Sequence, residues 1–220
     1  MHFTFATFVS CLGCTALPLT AFAQPTQPVP APPATPYPTA LYRMNDVSKA
    51  LNLTQDQITK LNALTDQTQT QYRDNYAKLG TLNDADRFAR TQELNRQYYT
   101  DWNKGARDIF NDTQRARYQQ VNYQYNGFNT LYEPDVQKRL NLTADQVKGL
   151  RDQADWSAQQ LQDINRVGAT DTTKGAQLYR DYWTARQERF NKFLAADQRK
   201  AWNELTGDAH TFQPVFTPRR

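Results

Sequence analysis

The sequence predicts an all-α protein built from two tandem long helical hairpins with short flanking helices. Three observations predict it: an internal repeat of long period, apolar residues recurring every three or four positions on two long segments of each copy, and no alternating β-branched runs. A mean hydropathy of −0.84 is low for a compact globule but suits long helices that each bury one face.

Residues 1–23 hold no Asp, Glu, Lys or Arg and run from Phe3 through Leu19 as a short apolar segment broken by Thr, Gly and Pro18. They end in Ala21-Phe22-Ala23, whose small first and third residues suit signal peptidase, so this stretch is read as a cleaved secretory signal peptide even without a Lys or Arg at its start. The run is too short and interrupted for a membrane-spanning helix, which needs about 20 apolar residues. A buried amino-terminal helix would need a partner surface that the polar remainder does not offer. Cys11 and Cys14 both lie inside the leader, so their C-x-x-C spacing is read as part of it and not as a redox or metal pair. Acylation at Cys14 is a weaker alternative, because Cys11 stands where Leu is expected. The exported chain then has no thiol and needs no oxidising or reducing compartment.

Residues 24–42 are dense in proline and read as a linker inclined to polyproline II. The first helical unit spans residues 43–121. Ile58, Leu61, Leu64, Tyr72, Tyr76 and Leu79 form an amphipathic stripe that stops at Gly80, which is expected to supply a left-handed cap. Asn83 and Asp84 can cap a second helix carrying Phe88, Leu94, Tyr98, Trp102 and Ile109. Residues 122–135 form an aromatic junction, and residues 136–207 form the second unit. In that unit Val147, Leu150, Ala154, Ala158, Leu161 and Ile164 end at Gly168, and Tyr179, Tyr182, Trp183, Phe190 and Phe193 follow a Thr-rich loop. Residues 208–220 are read as a tail.

The repeat is direct. Val47-Ser-Lys-Ala-Leu-Asn-Leu-Thr-Gln-Asp-Gln-Ile is answered by Val136-Gln-Lys-Arg-Leu-Asn-Leu-Thr-Ala-Asp-Gln-Val, an offset of 89 residues (47 to 136). Later, Phe110-Asn-Asp-Thr-Gln-Arg-Ala-Arg-Tyr118 is answered by Leu194-Ala-Ala-Asp-Gln-Arg-Lys-Ala-Trp202 at an offset of 84 (110 to 194), so the first copy carries the longer hairpin connection. Each copy opens with Leu-Thr-x-x-Gln. Thr54 and Gln57 have the spacing of a capping box, with Leu53 and Ile58 placed as its hydrophobic staple and Asp56 facing the helix dipole. Leu142, Thr143, Gln146, Val147 and Asp145 repeat the arrangement, and each cap should contribute about 1 kcal/mol. The degenerate copies are Asn111 to Gln114 and Ala195 to Gln198; the second lacks a capping side chain, so the last helix is expected to continue from its predecessor with a bend.

These segments resemble the Spy/CpxP family of periplasmic proteins: a short helix, Leu-Asn-Leu-Thr-x-x-Gln, a long hairpin, then a degenerate Leu-Thr-x-x-Gln followed by an aromatic. Each half is similar to one whole family unit. The resemblance implies a Spy-like fold of hairpins paired into a curved helical dimer, a periplasmic location, and ATP-independent binding of unfolded or stressed envelope proteins. Some relatives sense metal or modulate an envelope stress kinase, so one folded sensor protein is the alternative partner. Two units in one chain imply a pseudo-dimer within it, or a homodimer.

Aromatic residues are the candidate partner contacts. Tyr98, Tyr99 and Trp102 in the first copy, Tyr182 and Trp183 in the second, and Tyr123, Tyr125, Phe128 and Tyr132 in the junction could meet an unfolded client. The competing reading, favoured on spacing, is that these rings fill the core and the seam between the units. No cofactor or metal is expected: His210 is the one histidine outside the leader, and no catalytic, phosphate-binding or metal motif is present. An enzyme is therefore not expected. The net charge of +4 is interspersed, with only Arg219-Arg220 bare of acids, which argues against a nucleic-acid partner.

Overall fold

The computed structural model describes residues 37–213 together with 215 and 216; the leader, its two cysteines, linker residues 24–36 and Arg219-Arg220 lie outside them. Among the described residues all the regular structure is helical, with no strand. The helices are α1 (Asn45–Ala50), α2 (Gln55–Ala77), α3 (Asp84–Ala106), α4 (Asp112–Asn126), α5 (Pro134–Leu140), α6 (Ala144–Gly168), α7 (Thr172–Phe193) and α8 (Ala196–Thr206). Three 3-10 turns, Leu41–Arg43, Lys78–Thr81 and Gly127–Tyr132, lie between or before them.

Within the first half α2 runs antiparallel to α3. The Tyr76 hydroxyl donates to Asn95 Oδ1 (2.8 Å), the Tyr72 hydroxyl to Asp101 (2.8 Å), and Trp102 Nε1 to Thr65 Oγ1 (2.9 Å). In the second half α6 and α7 pair likewise. Ser157 meets the Tyr182 hydroxyl (2.6 Å), Arg189 Nε donates to Gln153 (3.0 Å), and Gly168 opposes Gly175 at the turn. Each half has its own apolar core. Leu41, Val47, Leu61, Leu94, Trp102, Tyr118 and Val121 belong to one, and Phe128, Leu131, Leu140, Leu150, Phe190 and Trp202 to the other. The short helices α1 and α5 end alike: Asn52 and Asn141 both sit at φ 49°. Asparagine tolerates that left-handed region better than other residues with a Cβ, which accounts for the Leu-Asn-Leu in both copies.

Several expectations need correction. The linker does not extend to residue 42: Tyr37 packs on Tyr76, and Leu41 and Tyr42 are buried in the first core. Apolar rings close to the proline-rich stretch have a core to join, and composition averaged over the segment conceals them. Gly80 is not a left-handed cap; α2 tightens into a 3-10 turn at Lys78–Thr81, and the left-handed glycines are Gly127 and Gly207. The junction is not a separate segment between the units, since Tyr123 and Tyr125 belong to α4 and Pro134 and Asp135 to α5, with the turn Gly127–Tyr132 between them. The last helix does not continue from α7. Leu194 and Ala195 are extended, and the Gln198 side chain accepts the Ala195 N–H (2.9 Å), closing the start of α8 without a capping hydroxyl.

The halves are joined at Gly127. Arg186 on α7 donates to the terminal carbonyls of α4, Tyr125 O (3.1 Å) and Asn126 O (2.5 Å), a favourable site for a cation at a helix C-terminus. Gly127 has φ 51°, and a Cβ there would come within 2.9 Å of the guanidinium. Both conditions require glycine.

Candidate functional site

Two glutamines do more than cap helices. The Thr54 hydroxyl accepts the Gln57 N–H (3.2 Å) while Gln57 Oε1 accepts the Thr54 N–H (3.1 Å); Asn111 and Gln114 do the same at the start of α4. The two side chains then meet. Gln57 Nε2 donates to Gln114 Oε1 (2.7 Å) and Ile109 O (2.8 Å), and Gln114 Nε2 donates back to Gln57 Oε1 (3.2 Å) and Leu51 O (3.1 Å). The second half repeats this clasp. Gln146 Nε2 donates to Gln198 Oε1 (2.7 Å) and Phe193 O (2.9 Å), and Gln198 Nε2 to Gln146 Oε1 (2.8 Å) and Asn141 O (3.2 Å). Each clasp ties the first turn of a long helix to the closing helix of its unit, using every donor and acceptor of both amides. Leu53 and Leu142 pack as partly buried apolar neighbours of the two cores. These six motif residues hold the scaffold and line no cavity described below.

The aromatic candidates divide. Tyr98, Trp102, Phe128 and Tyr182 are buried. Tyr98 is surrounded by Tyr37, Tyr72 and Tyr76, Phe128 by Phe190 and Phe193, and Tyr182 by Trp156 and Tyr179. Trp102 stacks on Tyr42 and meets Phe110 and Tyr118. Tyr99, Tyr123, Tyr125, Tyr132 and Trp183 are only partly buried. Tyr99, Tyr125 and Tyr132 come together on one cleft.

That cleft, of about 970 Å³, lies between the halves. The first half contributes Tyr37, Arg43, Gln69, Gln92, Asn95, Arg96 and Tyr99, the junction Tyr125, Asn126, Asn129 and Tyr132, and the second half Leu161, Ile164, Asn165 and Tyr179. Its walls are phenol rings and side-chain amides together with the guanidinium groups of Arg43 and Arg96 and the aliphatic side chains of Leu161 and Ile164, with one carboxylate, Glu133. Burial raises the Glu133 carboxyl above its ordinary value, opposed by a hydrogen bond from Tyr123 and by the charge of Arg96. A second cavity of about 700 Å³ is walled by Gln124, Phe128, Trp183, Arg186 and the segment from Gly207 to Phe212. Among the described residues two buried side-chain atoms lack a hydrogen-bond partner, the Tyr132 hydroxyl and the Trp183 indole N–H, and their rings line the first and second cavity respectively. Such orphans are rare, and an incoming acceptor would satisfy the indole.

No family model, curated protein or solved structure matches the chain. Among the described residues no three His, Cys, Asp or Glu gather as a metal site, and no helix is long and apolar enough to cross a membrane. Composition revealed Tyr99, Tyr125 and Tyr132, but gave no signal for Tyr37, which precedes the first helical turn, or for Gln69, Asn95 and Asn165, which lie on three different helices and carry no motif.

The tyrosine-rich packing has a consequence at high pH. Burial pushes the Tyr72, Tyr98 and Tyr132 phenols up from 10 to about 12, and raises Tyr118 well above its ordinary value too. Below pH 10 both folded and unfolded chains keep these protons. Above it the unfolded chain releases them first, so stability falls as pH rises from 10 through 12. Tyrosinate absorbance at 295 nm should therefore rise in one step together with loss of the helical circular dichroism signal. Gradual ionisation with the helices intact would contradict this packing.

Proposed function

We propose that the chain holds unfolded or stressed envelope proteins in the periplasm without nucleotide, as a single-chain counterpart of the paired Spy/CpxP hairpins. The observation that supports this is the cleft between the halves, whose lining is rich in tyrosine faces and Asn and Gln amides beside two arginines and aliphatic side chains. Tyrosine offers rigid amphipathic area at low entropy cost. A side-chain amide supplies both donor and acceptor, so it can pair with the backbone of any sequence. Such a surface discriminates little between side chains, as a binder of unfolded chains requires. The two antiparallel helix pairs, each opened by Leu-Thr-x-x-Gln and closed by a glutamine clasp, take the part of the two family hairpins in this proposal.

The test is aggregation of a reduced, denatured client followed by light scattering without ATP. Suppression at near-stoichiometric protein is the expected result, and unchanged scattering at several-fold excess rejects the proposal. Recovery of one dominant folded partner from envelope extract, in place of many clients, would reassign the chain as a regulatory binder.

A further inference from the structure

We infer that the carboxy-terminal segment after α8 is a built-in occupant of the client-binding trough, seated through Phe212 and Phe216, which an extended polypeptide with similarly spaced aromatics displaces. The inference rests on the client-binding proposal above and names the site and the class of ligand.

The segment leaves α8 at Gly207, φ 63°, and its described residues, 207–213 with 215 and 216, have no helical or strand structure. Its side chains divide by position. Thr211, Gln213 and Val215 are exposed, Val215 at 80%, whereas Phe212 and Phe216 turn inward. Phe212 lies 5.3 Å from the Tyr125 ring and 6.3 Å from Trp183. Phe216 packs on Tyr179 (5.8 Å) and enters a notch at Gly168 and Gly175, where a Cβ on either glycine would strike the ring.

All but one of these polar contacts read backbone. Gln124 Oε1 accepts the His210 N–H (2.7 Å) while its Nε2 donates to the carbonyls of Thr206 and Asp208 (both 2.9 Å). Arg117 also donates to Asp208 O (2.9 Å), and His210 Nε2 meets Asp46 Oδ2 (3.0 Å). A side-chain amide that satisfies both kinds of main-chain group is the sequence-tolerant recognition proposed for clients, here exercised on the protein's own chain.

The segment also divides the space available to a client. Val215 and Phe216 wall the 970 Å³ cleft, and Gly207 to Phe212 wall the 700 Å³ cavity. Tyr125 borders the first and Trp183 the second, their rings 5.3 Å apart, and Phe212 contacts both. Lifting the segment uncovers the Tyr125 and Trp183 faces at the border of the two spaces, and these faces with the two spaces make up the trough.

The experiment uses full-length wild type and the full-length double variant Phe212→Asp, Phe216→Asp, with a fluorescent peptide of residues 207–220 as probe. An intramolecular occupant lowers apparent affinity by the fraction of open molecules, so the variant should bind the peptide about 10-fold or more tightly than wild type by anisotropy. A peptide with both phenylalanines changed to alanine should not bind, and reduced carboxymethylated α-lactalbumin should compete with the probe. A variant with unchanged helical content that binds the peptide no better than wild type overturns the inference. Should the variant fail to fold, hydrogen exchange of wild-type amides 208–213 decides: faster exchange with the client present supports displacement, and unchanged exchange with client bound overturns it. Equal suppression of aggregation by both proteins overturns the inference and leaves client binding intact; suppression by neither overturns client binding itself.

Discussion

Trp102→Ala is expected to lower the unfolding free energy by about 3–5 kcal/mol, the largest effect of any single substitution in the first half. Trp102 is 3% exposed and meets three rings, Tyr42 at 5.8 Å, Phe110 at 6.2 Å and Tyr118 at 5.2 Å. Its indole N–H also donates to the fully buried Thr65 hydroxyl, which bonds in turn to Tyr42 (2.8 Å). Truncation leaves a cavity among rings that cannot collapse onto one another and removes one of two partners of a buried hydroxyl. Urea denaturation checks it. Because the two cores are distinct, the loss should appear in the transition of the first half, with the fluorescence of Trp202, in the second core, responding less.

Gln114→Ala is expected to cost about 2–4 kcal/mol, well beyond the ~1 kcal/mol of a lost helix cap. Gln114 is 8% exposed, and its amide serves Asn111 N, Leu51 O and both polar atoms of Gln57. Alanine strands all of these in a site with little water, and it unties α4 from α2. Gln198→Ala should do the same to the second half. Double-mutant cycles separate tertiary clasp from local cap. Gln57 with Gln114 should couple strongly, whereas Gln57 with Gln198, in different halves, should be additive within a few tenths of a kcal/mol. Additivity of the first pair would reduce the glutamines to caps.

What could be read from the chain follows the range of each interaction. Thr54 to Gln57 and Thr143 to Gln146 span three residues, so their spacing alone suggests reciprocal caps, and the three-and-four rhythm of Leu61, Tyr72 and Tyr76 marks a helix. The clasps span 57 and 52 residues and have no local signature, although the same glutamine recurs at the starts of α2, α4, α6 and α8. The cleft was less legible. Tyr98 and Tyr99 are neighbours in sequence, yet Tyr98 is buried against Tyr72 and Tyr76 while Tyr99 faces the cleft and accepts from Asn126 (3.4 Å). Periodicity gives a helix face to within a residue, which is too coarse to separate such a pair. Tyr37 and Phe216 were hidden for another reason: they stand in segments whose average composition reads as linker and tail, and only a docking surface on distant helices gives them a role.

Site-specific photocrosslinking tests the central claim most directly. A photoreactive phenylalanine analogue at Tyr99 or Tyr179, which line the cleft from opposite halves, is compared with one at Lys60 on the exposed side of α2. With an unfolded client and no nucleotide, adducts should form at Tyr99 and at Tyr179 but not at Lys60. Equal yields at all three positions, or capture at Lys60 alone, would contradict a client site between the halves.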